Sequence, residues 1–147
     1  MKLLIPYSKI ILVLAALLIW PSSLYAQDNI VVVTSQNNTI ESIDKKGLID
    51  LYMGKYSAFS NGERATPIDI EEETSLKEKF YKSLVGLPLA RVNAYWSRLK
   101  FSGRATPPAV EKTQEDVAER LDNDNSALAY IYESKVTNNM KVVYRFD

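Results

Sequence analysis

The sequence predicts an α/β domain of three layers, in which helices cover both faces of a mixed β-sheet. Segments with the apolar spacing of strands and of helices follow one another in the order strand, helix, strand, three helices and two strands. The first strand, Ile30-Val31-Val32-Val33, is a continuous β-branched run, which is typical of a strand buried on both faces. We therefore expect it to be a central, parallel strand.

The first helix and the second strand follow from capping residues and alternation. We predict a helix that is capped by Ser42, runs to Tyr52 and stops at Gly54. After a loop, the residues Pro67-Ile68-Asp69-Ile70 alternate between apolar and other types, which predicts a short strand.

Three helices and two strands complete the predicted fold. Ser75 and Glu78 have the spacing of a capping box, so we place a helix start at Ser75. Apolar residues at intervals of three and four predict a second helix that stops before Gly103. Thr113 and Asp116 have the spacing of a helix cap, so we predict that the third helix starts there. The final strands are predicted at residues 127–132 and 142–146.

The first 26 residues have the three parts of an export signal. Lys2 and Lys9 form a basic start, an apolar stretch runs from Ile10 to Trp20, and a polar segment follows Ala26. The sequence predicts cleavage after about Ala26, a periplasmic location, and a single domain over residues 27–147. The apolar stretch is too short to span a bilayer comfortably, so no stable membrane insertion is expected after cleavage.

Composition excludes several classes of function. The chain contains no cysteine and no histidine, which excludes a disulfide scaffold, a cysteine nucleophile and a Ser-His-Asp triad. Without the signal, 16 basic and 18 acidic residues remain, a balance that argues against nucleic-acid binding. No spacing indicates a nucleophile with its base, so we expect neither an enzyme nor a bound cofactor or metal.

Several short motifs occur in an order that resembles a known family. They are Leu51-Tyr52-Met53-Gly54-Lys55, Pro67-Ile68-Asp69-Ile70, Phe101-Ser102-Gly103 and Ala127-Leu128-Ala129-Tyr130. Together they resemble one lobe of the phosphate ABC transporter substrate-binding proteins, over nearly all of Ile30 to Tyr144. The resemblance implies the fold of one lobe of a type 2 periplasmic binding protein, and a non-catalytic, exported protein that binds phosphate or another small oxyanion.

The resemblance also indicates where an anion would bind. In the family, this lobe contributes an arginine followed by Ser-Gly-Thr at the start of a helix, where backbone N–H groups favour an anion. The equivalent stretch here is Ile70 to Leu76, and it keeps hydroxyls at Thr74 and Ser75. The glycine is absent, and Glu71-Glu72-Glu73 stands where the arginine is expected, so we predict weak binding.

Other residues are candidates with simpler alternatives. Thr34 and Ser35 follow the buried strand, where ligands of α/β sheets often bind, although an ordinary polar turn is equally consistent. Arg104 has planar donors that suit an oxyanion, although a solvated loop arginine is the simpler interpretation. Ser75 is also explained as a helix cap, and Trp96 as a core residue.

Two functions remain open at this point. One is weak binding of phosphate or another small oxyanion at Thr34, Ser35, Thr74, Ser75 and Arg104. The other is an interaction module that has lost its anion site and contacts a protein partner in the cell envelope.

Overall fold

The computed structural model of the protein describes residues 28–146, and the predicted export signal lies outside them. The strands are β1 (Ile30–Ser35), β2 (Thr66–Ile70), β3 (Ala109–Glu111), β4 (Ala127–Tyr132) and β5 (Met140–Arg145). The α-helices are α1 (Lys45–Tyr52), α2 (Thr74–Val85), α3 (Leu89–Ser102) and α4 (Gln114–Asn123), and one 3-10 turn spans Glu133–Lys135.

The strands form one mixed sheet in the order β3-β2-β4-β1-β5. β2 runs parallel to β3 and to β4, whereas β1 runs antiparallel to β4 and to β5. The last residues of β2, β3 and β4 therefore lie at the same side of the sheet, which we call the carboxyl end. Their first residues lie at the opposite side, the amino end.

The first strand is as buried as its apolar run predicts, but its direction differs from the prediction. All six residues of β1 are buried. Both neighbours of β1 are antiparallel to it, and β4 rather than β1 is the middle strand. A continuous apolar run indicates that both faces of the strand are buried. Burial is the same for parallel and antiparallel neighbours, so the run does not predict the direction of the neighbouring strands. β1 lies inside the sheet between β4 and β5, as expected of a central strand, but the prediction that it is parallel is wrong.

The connections between the parallel strands account for the three layers. The chain passes from β2 to β3 through α2 and α3, and then from β3 across β2 to β4 through α4. Because crossovers between parallel strands are right-handed as a rule, two that run in opposite directions have their helices on opposite faces of the sheet. The predicted α/β class with a mixed sheet is confirmed. The three-residue strand β3 was not predicted, because it is too short to show alternation.

One helix start is displaced from its predicted cap. Helix α1 is capped by Asp44, whose carboxylate accepts a hydrogen bond from the backbone N–H of Gly47 at 2.7 Å. Ser42 lies outside the helix because the N–H of the next residue, Ile43, donates to the carbonyl of Val143 in β5. The prediction of Ser42 as the cap is therefore wrong.

Two other helix boundaries are confirmed. Thr113 and Asp116 form the predicted capping box at the start of α4, with hydrogen bonds in both directions. Helix α3 ends before Gly103, which has a φ of 67°.

Aromatic side chains from several elements form the centre of the core. The ring of Phe80 in α2 stacks on that of Tyr130 in β4 with 3.9 Å between centroids, and Tyr52 of α1 contacts both rings. Trp96 is buried with 7% of its surface exposed, which confirms the prediction of a core residue. Among the described residues, no helix is long and apolar enough to cross a membrane.

Candidate functional site

Thr74 and Ser75 lie at the carboxyl end of the sheet, exposed in the first turn of α2. Glu73 occupies the cap position of α2, but its side chain makes no hydrogen bond to this helix. The predicted capping box of Ser75 with Glu78 is wrong, because α2 begins at Thr74 and Ser75 is already inside the first turn. The first N–H groups of α2 are therefore without a side-chain cap.

The carboxylate of Glu73 is bound instead at the start of the neighbouring helix α4. It accepts hydrogen bonds from the backbone N–H of Gln114 at 3.2 Å and from the Gln114 side-chain amide at 2.6 Å. The amide oxygen of buried Gln114 accepts the N–H of Tyr132 at 2.8 Å. A helix N-terminus favours a negative charge. At α4 this charge comes from the protein itself.

A second carboxylate, that of Asp69, is buried near the carboxyl end of β2. It accepts hydrogen bonds from the hydroxyls of Tyr81 at 2.9 Å and Tyr130 at 3.1 Å, and it pairs with the ammonium of Lys77 at 2.8 Å. Sequence analysis did not identify this group as a site. Its polar atoms are satisfied within the core, so its role is structural.

Three buried tyrosines are expected to keep their protons until the protein unfolds. Burial, with a smaller contribution from the charge of Asp69, raises the pKa of Tyr52, Tyr81 and Tyr130. The folded state then keeps protons that the unfolded chain releases, so the stabilisation is fully present below pH ~10 and is lost as the pH rises further. Titration of phenolate absorbance should show these three ionising only when the protein unfolds. Ionisation of every tyrosine while the fold stays intact would contradict this expectation.

Thr34 and Ser35 lie far from Thr74 along the sheet. Thr34 pairs with Leu128 of β4, which pairs on its other side with Pro67 near the amino end of β2. Both side chains are buried, and the hydroxyl of Ser35 accepts the N–H of Asn37 at 3.3 Å. The antiparallel direction of β1 thus places the two predicted pairs of hydroxyls at opposite ends of the sheet.

Arg104 lines an open cleft at the amino end, with a volume of about 620 Å³. Its walls include Thr66 and Pro67 at the start of β2 and Ala109 at the start of β3. We call it the cationic cleft, because four basic residues and no acidic residue are among those that line it, namely Lys55, Arg64, Arg104 and Arg120.

Two of the four cations are already paired. The Lys55 ammonium lies 3.4 Å from Asp50, and Arg120 pairs with Glu111 and Asp124. Arg64 and Arg104 are exposed and make no ion pair with any residue in the range 28–146. The charge that remains for a ligand in the cationic cleft is therefore that of these two arginines.

A neighbouring cavity of about 670 Å³ lies between α1 and the loop that follows it. Its walls are largely apolar and include Leu51 and Phe59. Asp50 also lines this cavity, where a hydrogen bond and the charge of Lys46 lower the pKa of its carboxyl group. Lys55 is the basic residue that lines this cavity, and it pairs with Asp50, so an anionic ligand would find no unpaired cation among these wall residues.

The predicted site residues therefore fall into two groups. Thr74 and Ser75 lie at the carboxyl end beside Glu71 to Glu73. Thr34, Ser35 and Arg104 lie at the amino end, and of these three only Arg104 lines the cationic cleft. No pattern in the sequence indicated Arg64, because it precedes a strand in an ordinary loop. Within residues 28–146, no group of three or more acidic side chains is placed to hold a metal ion.

Comparisons with known proteins identify the fold. No protein-family model matches the sequence, and no curated protein matches it. Solved structures do match. An ABC-type phosphate transport receptor from Vibrio cholerae aligns with a TM-score of 0.62 and 13% identity, over 79% of this chain and 45% of the receptor. A putative phosphate ABC transporter substrate-binding protein from Clostridium perfringens, with bound phosphate, aligns with a TM-score of 0.62 and 15% identity. The alignment covers 79% of this chain and 44% of the Clostridium protein.

A third match agrees with these two. A possible phosphate binding protein from Planctomyces limnophilus has a TM-score of 0.58 and 14% identity, over 79% of this chain and 40% of its own. The chain spans less than half of the length of the proteins it matches. It has the fold of one lobe of a phosphate ABC transporter substrate-binding protein, which confirms the resemblance seen in the sequence at the level of the fold.

Proposed function

We propose that the protein is an exported, non-catalytic, solute-binding-like module that binds phosphate or another small oxyanion weakly. The observation that carries this proposal is the cationic cleft, where no acidic residue lines the walls. The fold supports it, because the structures that share this fold are described as phosphate receptors and phosphate-binding proteins. The proposed periplasmic location rests on the export signal predicted at residues 1–26.

Arg64 and Arg104 are the residues we propose to hold the anion. A guanidinium group offers planar donors that match two oxygens of a phosphate or carboxylate. Hydroxyls of Ser57, Thr66 and Thr106 also line the cleft and add neutral donors. Since both arginines are exposed and screened by solvent, we expect affinity in the millimolar range.

The start of α2 is a second, weaker position for an oxyanion. The uncapped N–H groups of its first turn and the hydroxyls of Thr74 and Ser75 are suitable donors. Glu71 and Glu72 are exposed beside them, and each close carboxylate repels an anion by about 1 kcal/mol even in bulk water. We therefore expect this position to contribute little to the observed affinity.

Titration calorimetry with phosphate, sulfate and citrate at low salt tests the proposal. The double variant Arg64→Ala/Arg104→Ala should bind about tenfold more weakly, because it removes both free cations from the cleft. Thr74→Ala/Ser75→Ala should bind as the unchanged protein does, and so should Arg91→Ala, which removes an exposed cation outside the cleft.

Two results of this titration would contradict the proposal. Absence of heat at millimolar anion would exclude weak oxyanion binding as the function. Affinity that is lost with Thr74→Ala/Ser75→Ala and kept with the arginine variant would place the site at the start of α2 instead of the cationic cleft.

A second candidate function is an interaction module of the cell envelope that has lost its anion site. The observation that favours it is the pair of exposed acidic residues Glu71 and Glu72 beside the start of α2, where the resemblance places the anion site. Recovery of one stoichiometric partner from an envelope extract, retained by Arg64→Ala/Arg104→Ala, would support this function. Failure to recover any stoichiometric partner would count against it.

A further inference from the structure

The charges of this protein are divided unevenly along the chain. From Lys79 to Val110 there are six basic residues and no acidic one, which are Lys79, Lys82, Arg91, Arg98, Lys100 and Arg104. Residues 27–78 and 111–147 together carry 10 basic and 18 acidic residues. The small net charge of the protein therefore conceals a segment of six positive charges, and helix α3 carries three of them.

The basic side chains of α3 point to solvent. Val92 and Trp96 are buried and attach the helix to the core, whereas Arg91, Arg98 and Lys100 are exposed. Arg91 and Lys100 are nine residues apart, so these cations spread over the whole exposed half of α3 and do not form a single stripe. Together with Arg104 just beyond the helix, this exposed half is what we call the basic face. None of the four forms an ion pair within the part of the chain that the structure describes.

A single large apolar side chain projects from the basic face. Phe101 is 96% exposed, by far the most exposed of the large apolar residues among those described. It lies nine residues after Val92, and at 100° per residue this places it on the opposite side of α3 from the core. Around the helix axis, Arg98 lies about 60° to one side of Phe101 and Lys100 about 100° to the other, so cationic positions flank the exposed ring on both sides.

We propose that the basic face of α3 docks reversibly on a bilayer surface of anionic phospholipid, with the ring of Phe101 inserted between the headgroups. Positive side chains around an apolar group match the two parts of such a surface, which are the anionic headgroups and the acyl chains beneath them. The acidic residues elsewhere oppose this docking only weakly, because salt screens charges beyond about 8 Å at physiological ionic strength.

The arrangement of charges favours a lipid surface over an acidic protein. Protein interfaces have an apolar centre that is depleted of charge, with polar residues at the rim. Here the cations surround the only large apolar group, and burying them against a protein would require a carboxylate in register with each one. Headgroups are mobile and hydrated, so they neutralise the cations without that requirement. This inference goes beyond anion binding in the cationic cleft and does not depend on it.

Sedimentation with lipid vesicles tests the docking. The exported protein should bind vesicles of phosphatidylglycerol and phosphatidylcholine, and should not bind phosphatidylcholine alone. Binding should weaken as salt is added. Arg98→Glu/Lys100→Glu should reduce the partition coefficient more than about tenfold, since each cation near the surface contributes several-fold. Phe101→Ser should reduce it about fivefold, because insertion of the ring is lost.

Matched variants separate docking from general effects of charge and apolarity. Lys45→Glu/Lys112→Glu makes the same change in net charge at exposed sites outside the basic face, and Tyr56→Ser removes an aromatic ring that is 57% exposed. Both should bind vesicles as the unchanged protein does. Every variant carries the same amino-terminal segment, so differences between variants report on α3.

Three results would overturn the inference. They are absence of binding to phosphatidylglycerol vesicles at low salt, equal binding to both kinds of vesicle, and equal losses in the Arg98→Glu/Lys100→Glu and Lys45→Glu/Lys112→Glu variants. The first of these would leave an acidic protein as the occupant of the basic face. Phosphate calorimetry on Arg98→Glu/Lys100→Glu separates this failure from failure of the anion proposal, since neither residue lines the cationic cleft.

Discussion

Replacing Asp69 with alanine is expected to lower the free energy of unfolding by about 3–5 kcal/mol, the range measured when one partner of a buried ion pair is removed. The carboxylate of Asp69 is 6% exposed and accepts hydrogen bonds from the hydroxyls of Tyr81 and Tyr130. In the variant both buried hydroxyls lose an acceptor, and the ammonium of Lys77 loses its partner. Each unsatisfied buried group costs about 1–3 kcal/mol.

Urea denaturation followed by tryptophan fluorescence measures this loss, and Asp50→Ala is the matched control. Asp50 also pairs with two lysines, but the side chains of Lys46 and Lys55 are 74% and 56% exposed. They remain hydrated when the carboxylate is removed, so we expect a loss several-fold smaller than at Asp69. Equal losses in the two variants would show that the buried network has no special contribution to stability.

Replacing Gly54 with alanine is expected to cost about 3 kcal/mol. Gly54 has a φ of 74°, a left-handed conformation that costs a residue with a side chain about 1–2 kcal/mol. A Cβ atom at this position would also lie 2.6 Å from Cη2 of Trp96 and 3.1 Å from Cβ of Ala105. Overpacking of this kind adds about 1–3 kcal/mol, because the indole of Trp96 is held in the core.

Gly103→Ala separates the two contributions to this loss. Gly103 has a similar φ of 67°, but an added Cβ would have no atom within 4 Å. We therefore expect a cost of about 1–2 kcal/mol from backbone strain alone. Thermal unfolding should show a larger fall in melting temperature for Gly54→Ala than for Gly103→Ala. Equal falls would mean that the contact with Trp96 does not restrict this position.

Two similar motifs show how far local sequence predicts local structure. Thr113 with Asp116 and Ser75 with Glu78 have the same spacing, yet only the first pair forms a capping box. The start of α2 is displaced because Glu73 takes the cap position while its carboxylate bonds to Gln114, 41 residues away. A pattern of four residues carries no information about a partner so distant in the chain.

The sequence by itself determined the class of fold, the burial of β1, the position of Trp96 in the core and the end of α3 at Gly103. Each of these depends on the spacing of apolar and glycine residues within a few turns of chain. Only the tertiary structure decided that β1 is antiparallel to its neighbours, and hence that Thr34 and Ser35 lie at the opposite end of the sheet from Thr74 and Ser75. It likewise brought Arg64 and Arg104 to one cleft. Strand direction and the meeting of distant loops depend on pairing between residues that are far apart in the chain. The apolar periodicity of one strand is the same whether its neighbours are parallel or antiparallel, so it does not reveal their direction.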